Sequence, residues 1–269
     1  MKLLQSGEFH GQTNDILQME GIILTDTEYT HDRVDWHYHE NAYFTFILKG
    51  NVLEGNKKET YTCSAGTLLF HNWQDPHYNI KPEGYTRGFH VELQDSWFKH
   101  FSIDIASLQG STSILNIDIK LLFYRIFKEA KQNDIFSELA LQSELIQVFA
   151  EMFSKTKILT GKTPVWVKKI RELLQENLNQ NISLQYLSEY LDIHPVHLSR
   201  YFPRYFNCGL GEYMRKLRVE RSLALLRDKN ASLTEISYDC GFSDQSHFNR
   251  CFKEITGTTP LAYRRLMLC

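Results

Sequence analysis

Two stretches of this chain, fifty positions apart, carry the same pair of helical patterns, and that repeat restricts the fold more than any bulk property. In the second copy, Leu233, Ile236 and Cys240 recur at offsets 0, 3 and 7, and Phe248, Cys251, Phe252 and Ile255 at 0, 3, 4 and 7. Each set is one face of an α-helix. Ser232 and Glu235 form the S-x-x-E pattern that satisfies the free N–H groups opening a helix. Gly241 can take a positive φ and end the first helix in a tight turn, and Ser243 is placed to cap the second. In the first copy, Leu184, Leu187 and Leu191 repeat the first spacing, and Leu198, Tyr201, Phe202 and Tyr205 the second. HLSRYF (His197 to Phe202) aligns with HFNRCF (His247 to Phe252). Asp192 stands where Gly241 stands, and aspartate tolerates the left-handed region better than most residues. Two short helices joined by a tight turn, twice over, predict a double helix-turn-helix.

The polar side of the second helix of each pair carries the chemistry. Gln245, Ser246, Asn249, Arg250 and Lys253 lie opposite Phe248 and Phe252. Gln and Asn suit the bidentate edge of adenine and Arg that of guanine, while Lys253 suits a phosphate. Any solvated helix face could carry such residues. A second copy with its own outward arginine, Arg200, favours the DNA reading.

The segment from Val165 to Arg265 resembles the DNA-binding domain of AraC-type transcription regulators. The resemblance rests on GFSDQSHFNRCFK, the following Gly257, and TPLAYRR with Pro260, Tyr263 and Arg264. Glu212 to Leu226 is similar to the family's helix joining the two units. The resemblance implies that both recognition helices enter successive major grooves, about 34 Å apart. It also implies base-facing positions at Val196, Ser199 and Arg200 in the first unit and Gln245, His247, Asn249 and Arg250 in the second. Pro203 departs from the pattern: an interior proline removes one N–H bond, so the first recognition helix is expected to kink after Arg200 or to displace its last turn.

A net charge of −2 is unusual for a DNA binder until it is divided. From Gly161 to Cys269 there are 16 Lys+Arg against 11 Asp+Glu, leaving 14 against 21 in the rest. The basic excess sits where phosphate contact needs it. The acidic remainder is expected to do something else. The five cysteines are scattered with no C-x-x-C, which favours small buried hydrophobes over redox or metal chemistry. No signal peptide and no run of eighteen apolar residues is present, so a cytoplasmic protein without a membrane partner is expected.

Residues 1–100 read as β. Short β-branched or aromatic runs occur at Gly21 to Tyr29, Ala42 to Gly50, Asn51 to Cys63, Gly66 to His71 and Gly84 to Leu93, with Gly50-Asn51 and Gly55-Asn56 as turn signals. His37 and His39, two apart on an extended segment, point the same way. His77 follows Pro76. These features resemble a cupin barrel, the sensing domain of many AraC-type regulators. In metal-binding cupins three histidines and a glutamate hold the ion. Here His37, His39 and His77 match the histidines. The glutamate would fall near Tyr43 or Phe44, and Glu40 points to the opposite side of a regular strand. Three imidazoles alone could hold Zn²⁺, Fe²⁺ or Cu²⁺; a histidine-lined effector pocket with no metal and no cofactor is the favoured expectation. Its candidate residues are His37, His39, Tyr43, Trp73 and His77, with Trp36 and His90 as further walls or core filling.

Beyond residue 95 the pattern turns helical. Ile119, Leu122, Phe123, Ile126, Phe127 and Ala130 form one apolar stripe, and Leu141, Leu145, Val148, Phe149 and Met152 another. The stripes could pack on the barrel or pair with a second subunit, and the resemblance implies a homodimer formed here. The expected organisation is therefore α+β in two domains. A cupin-like β-barrel (1–100) with amphipathic helices (101–156) is followed by a linker (157–164) and an all-α domain (165–269) of two helix-turn-helix units on a joining helix. The expected function is that of a transcription regulator, more readily an activator, binding double-stranded DNA and a small-molecule effector. RNA polymerase is a partner if it activates. The rival is a metal-dependent cupin enzyme or metal sensor fused to a DNA-binding module.

Overall fold

The computed structural model describes residues 1–72, 74–106, 108, 110–158 and 164–268. Trp73 and most of the expected linker lie outside the described residues. The chain divides into two compact units, one of residues 1–116 with 129–142 and one of 117–128 with 143–269.

The first unit is built on eleven strands: β1 Lys2–Leu4, β2 Gln12–Met19, β3 Ile22–Glu28, β4 Arg33–His39, β5 Ala42–Lys49, β6 Asn51–Asn56, β7 Thr60–Ser64, β8 Leu68–His71, β9 His77–Ile80, β10 Arg87–Leu93 and β11 Ser111–Ser113. They form a five-stranded sheet, β1-β4-β9-β6-β7, and a six-stranded sheet, β11-β8-β5-β10-β3-β2. β5 lies between β8 and β10, and its residues Ala42 to Leu48 are all buried. That burial explains its unbroken apolar run in place of alternation. β2, QTNDILQM, is the opposite case: an edge strand, mostly exposed, whose polar residues hide it from any periodicity test. Gly50 turns the chain with φ +77° as its sequence suggests. Gly55 does not: it lies inside β6, where a Cβ would collide with the ring of Tyr78. Close approach of a neighbour, not a turn, is what requires glycine there.

One buried ionic knot braces this unit. Asp26 on β3 accepts from Arg87 Nε at 2.6 Å and pairs with Lys131 Nζ at 2.7 Å. Burial alone would raise the Asp26 carboxyl, but the two cations hold it below its ordinary value.

Helices follow: α1 Asp95–His100, α2 Ile117–Gln132 and α3 Ser137–Ile158. The expected helical region is thus interrupted across 101–116, where β11 joins the larger sheet. The predicted stripes hold. Ile119, Leu122, Phe123, Ile126 and Phe127 are buried on α2, and Leu141, Leu145, Val148 and Phe149 on α3.

The second unit continues with α4 Val165–Glu176, α5 Leu184–Leu191, α6 Pro195–Phe206, α7 Leu210–Leu225, α8 Leu233–Asp239, α9 Gln245–Thr256 and α10 Pro260–Leu268. α7 packs on α6, α8 and α9, so one helix carries both helix-turn-helix pairs. Lys216 on α7 reaches Asp118 at 2.9 Å, and Lys120 reaches Glu220 at 3.1 Å, tying the start of α2 to the same helix. The capping box is complete: Glu235 N–H donates to Ser232 Oγ at 3.1 Å, and Ser232 N–H donates to Glu235 Oε2 at 2.8 Å. Asp192 ends α5 at φ +53°. Gly241 takes φ +82°, and a Cβ there would strike the carbonyl of Leu178, which already accepts from Arg218 Nε at 2.9 Å. The cap of α9 is Asp244, whose carboxylate accepts the N–H of His247 at 2.7 Å, and not the neighbouring Ser243. The ionised carboxylate is the stronger acceptor and the better partner for the helix dipole.

Candidate functional site

Two sets of residues stand out, one inside the sheets of the first unit and one on the helices of the second.

The first is a histidine-lined pocket between the two sheets. β4 supplies His37 and His39, and β9 supplies His77; His37 and His77 are cross-strand partners with ring centroids 4.2 Å apart. From the other sheet come Tyr43 and Thr45 of β5, His71 of β8 and His90 of β10. Tyr43 pairs with His71 in register and stacks on it at 4.3 Å, and Thr45 pairs with His90. All five histidines are buried.

The hydrogen bonds fix the rings. Nδ1 of His37 donates to the carbonyl of Asp35 at 2.9 Å, and Nδ1 of His77 to the carbonyl of Asp75 at 3.0 Å. In both neutral imidazoles Nε2 is therefore the lone-pair nitrogen. Tyr43 hydroxyl donates to Nε2 of His77 at 3.0 Å. Nδ1 of His39 is buried with no hydrogen-bond partner among the described residues. Burial pushes His37 down to about 3, with His77 adding to the effect, and pushes His77 down to about 4. Burial pushes His90 to about 3 and holds His39 and His71 well below their ordinary value. The cluster is uncharged at neutral pH.

A carboxyl group does face this pocket, from a place that the sequence does not indicate. Glu54 on β6 lines it, 4 % exposed, with Oε1 3.5 Å from Nε2 of His71 and Oε2 accepting from Asn79 at 3.2 Å. The pair is not an ion pair. Burial lifts Glu54 to about 8 and depresses His71, so a neutral acid faces a neutral imidazole. Tyr29 and His90 are also drawn in, through contacts of 3.3 Å to each other and 3.2 Å from His90 to Thr45. A histidine inside a buried apolar strand, as in LLFH, is the sequence signal that could have found His71; His90, in GFHVEL, was already a candidate wall. Trp36 is not a wall: it is 39 % exposed and packs edge-on against Tyr78. Trp73 lies outside the described residues.

The second set lies on α6 and α9. Leu198, Phe202 and Phe206 bury one side of α6, and Phe248, Cys251 and Phe252 the matching side of α9. On the opposite sides Val196, Ser199, Arg200 and Pro203 are exposed on α6, and Ser246, Arg250 and Lys253 on α9. Three second-unit residues named from the sequence are less free. Gln245 accepts from the Thr234 hydroxyl at 2.7 Å. His247 is half-buried, its Nδ1 3.2 Å from Ser243 Oγ. Asn249 is half-buried, with Oδ1 enclosed and unpartnered. α6 runs through Pro203 to Phe206 without a break, because Phe202 and Phe206 anchor the last turn by stacking at 4.2 Å, with Tyr213 of α7 beside Phe206 at 4.7 Å.

A histidine-lined sheet unit followed by two helix-turn-helix pairs on one supporting helix defines a two-part binding protein. Family models agree with both parts. Residues 21–149 match the AraC-like ligand binding domain, and residues 187–266 match a helix-turn-helix domain. The chain belongs to the AraC-type family. GbdR of Pseudomonas aeruginosa, an HTH-type transcriptional regulator, is 32% identical over 39% of this chain and 28% of its own length. An HTH-type transcriptional regulator of Staphylococcus aureus is 22% identical over 92% of this chain and 34% of its own. The chain thus spans about a third or less of the length of these curated relatives. Among solved structures, ToxT of Vibrio cholerae aligns over 96% of this chain and 100% of that one, at 15% identity and a TM-score of 0.39. Among the described residues no helix is long and apolar enough to cross a membrane.

Proposed function

We propose that this chain is a sequence-specific regulator of transcription, non-enzymatic, cytoplasmic and responsive to a ligand bound among His37, His39, Tyr43 and His77. The observation that carries the reading is the matched exposure of Arg200 and Arg250, at equivalent positions of two helices buried through the same apolar pattern and mounted on α7. Arginine offers the bidentate fork that reads guanine in the major groove. Val196 and Ser199 flank the first arginine, and Lys253 meets phosphate beside the second. Gln245, His247 and Asn249 complete the second reader once DNA competes for their present contacts. Activation would bring RNA polymerase as a further partner. Selection of binding sites from random duplexes is the test. The expected result is an enriched motif with two blocks about 10 base pairs apart, centre to centre. An unenriched pool bound only through charge would refute the reading.

The same reading includes a homodimer. Ile135 and Phe136, in the turn before α3, and Leu139 in its first turn are 90 %, 67 % and 73 % exposed, an unusual cost for three neighbouring large apolar side chains in water. A second copy covers them in this account. Sedimentation should show a dimer that Phe136→Glu converts to monomer, and a wild-type chain that sediments as a monomer at tens of micromolar would disprove it.

A further inference from the structure

A cleft in the second unit is large enough for an organic molecule. About 430 Å³ opens between α2, α7 and the last turn of α9. Small-molecule sites are on the order of 300–1,000 Å³. Leu121 and Leu122 of α2 and Ile255 of α9 give the cleft an apolar lining, and the exposed Gln147 of α3 stands at its edge. All of these residues belong to the same compact unit.

The charges around the cleft fall into two groups. Lys216 Nζ is answered twice, by Asp118 at 2.9 Å and Glu212 at 3.0 Å, and Arg125 is answered by Glu144 at 2.8 Å. Arg215 and Glu254 are not answered. Among the described residues neither makes an ion pair or a side-chain hydrogen bond, with the other or with anything else. On α7 the helix spacing accounts for this. One turn before Lys216 stands Glu212, whereas one turn before Arg215 stands Gly211. The guanidinium lies back over that glycine, with Nη1 3.8 Å from the place a Cβ would take. A half-buried guanidinium and an exposed carboxylate thus face one cleft unpaired.

Such an opening fits a ligand that carries both signs. Asp118, Glu212 and Glu254 line it together with Arg125, Arg215 and Lys216, so a polyanion or a polycation would meet as many like charges as opposite ones. An aromatic ligand would find no ring among the lining residues to stack on. A zwitterion can set its carboxylate on the fork of Arg215 and its ammonium on Glu254, while an aliphatic side chain covers Leu121, Leu122 and Ile255.

We propose that this cleft binds a small aliphatic zwitterion, an amino acid or short peptide, with Arg215 holding its carboxylate and Glu254 its ammonium, and that occupancy alters affinity for DNA. A ligand held this way ties α9, the second reader, to the helix that supports both readers. The second clause rests on the regulatory reading above; the site itself does not.

Calorimetric titration of the full chain with leucine and with leucyl-leucine tests the site. One molecule per chain is expected of at least one of them, and the tighter binder tells free amino acid from peptide. Acetylating its amine or amidating its carboxyl should each weaken binding about ten- to a hundredfold, the loss of one charge-assisted contact. Arg215→Met should weaken the parent ligand by the same factor and the amidated form no further. Glu254→Gln should do likewise for the parent and the acetylated form. Loss of fold would weaken every ligand alike, so this crossed pattern reports contact. Lys168→Ala, at an exposed residue of α4 outside the cleft, should leave binding intact. No saturable uptake of either ligand up to about 10 mM, or uptake that survives both substitutions, overturns the site. Binding indifferent to either blocking group overturns the zwitterion. A cleft that fills while affinity for selected DNA stays constant overturns the coupling alone. Failure of the DNA selection itself leaves the calorimetric result standing.

Discussion

Acidification from pH 7 to pH 5 should markedly destabilise the sheet unit. His90, held near 3, lies on β10 in the interior, and His37 and His77 are held near 3 and 4. Each stays neutral in the folded chain while the unfolded chain binds a proton below about 6.5. Their contribution is full above that value and is lost as pH falls toward 4 and 3, at about 1.4 kcal/mol per pH unit for each group. Three such groups lose about 4 kcal/mol per unit at most, against a total stability of about 5–15 kcal/mol. Glu54 acts in the opposite sense. Its carboxyl, lifted to about 8, keeps its proton in the fold, so its contribution is full below about 4.5 and is lost as pH rises to 8. One carboxyl does not offset three imidazoles, so stability should peak near pH 6.5 and fall steeply below it. Urea midpoints followed by tryptophan fluorescence would report this, since three of the four tryptophans, Trp36, Trp73 and Trp97, belong to the first unit and only Trp166 to the second. A midpoint that is flat between pH 7 and pH 5 would show that the histidines are solvated.

The second large effect is expected from the double substitution Arg200→Ala with Arg250→Ala. Each arginine that reads a guanine contributes about 1–3 kcal/mol of discrimination. The two sit on separate helices and would read separate base pairs, so their losses should add to about 2–6 kcal/mol. Binding to the selected duplex should fall toward the level of bulk DNA, while each single variant keeps preference at the other block. Fluorescence anisotropy at fixed salt measures this. Equal losses on selected and random duplexes would make both arginines phosphate clamps, and the salt dependence would drop accordingly.

What could be read in advance follows from how far apart the deciding residues are. The helix-turn-helix pairs were legible because their signals are local. Ser232 and Glu235 close one turn, Asp192 and Gly241 adopt the left-handed region their types allow, and the apolar faces repeat within seven residues. Errors there are of one position, as with Asp244 capping in place of Ser243. In the sheet unit the cores of β3, β5 and β10 were legible from their apolar runs. β2 was not, since an exposed edge strand needs no apolar pattern. His37 and His39 announced themselves by their spacing. His90 was a candidate wall, but Glu54 and His71 were not, because only long-range strand pairing brings β6 and β8 to the same pocket. The half-burial of Asn249 is likewise invisible to a helical wheel, which assigns a direction and not an environment.

The unequal outer stripes of α6 and α9 have a consequence for orientation. Val196 and Pro203, both exposed, occupy the places that Ser246 and Lys253 occupy on the second helix. One rod can grip a backbone cation-first, and the other offers only an apolar contact and an imino acid at those points. A duplex held by this pair has a front and a back. If α6 and α9 read DNA as proposed, a symmetric site would leave one of them mismatched, and the stretch that fits would be polar.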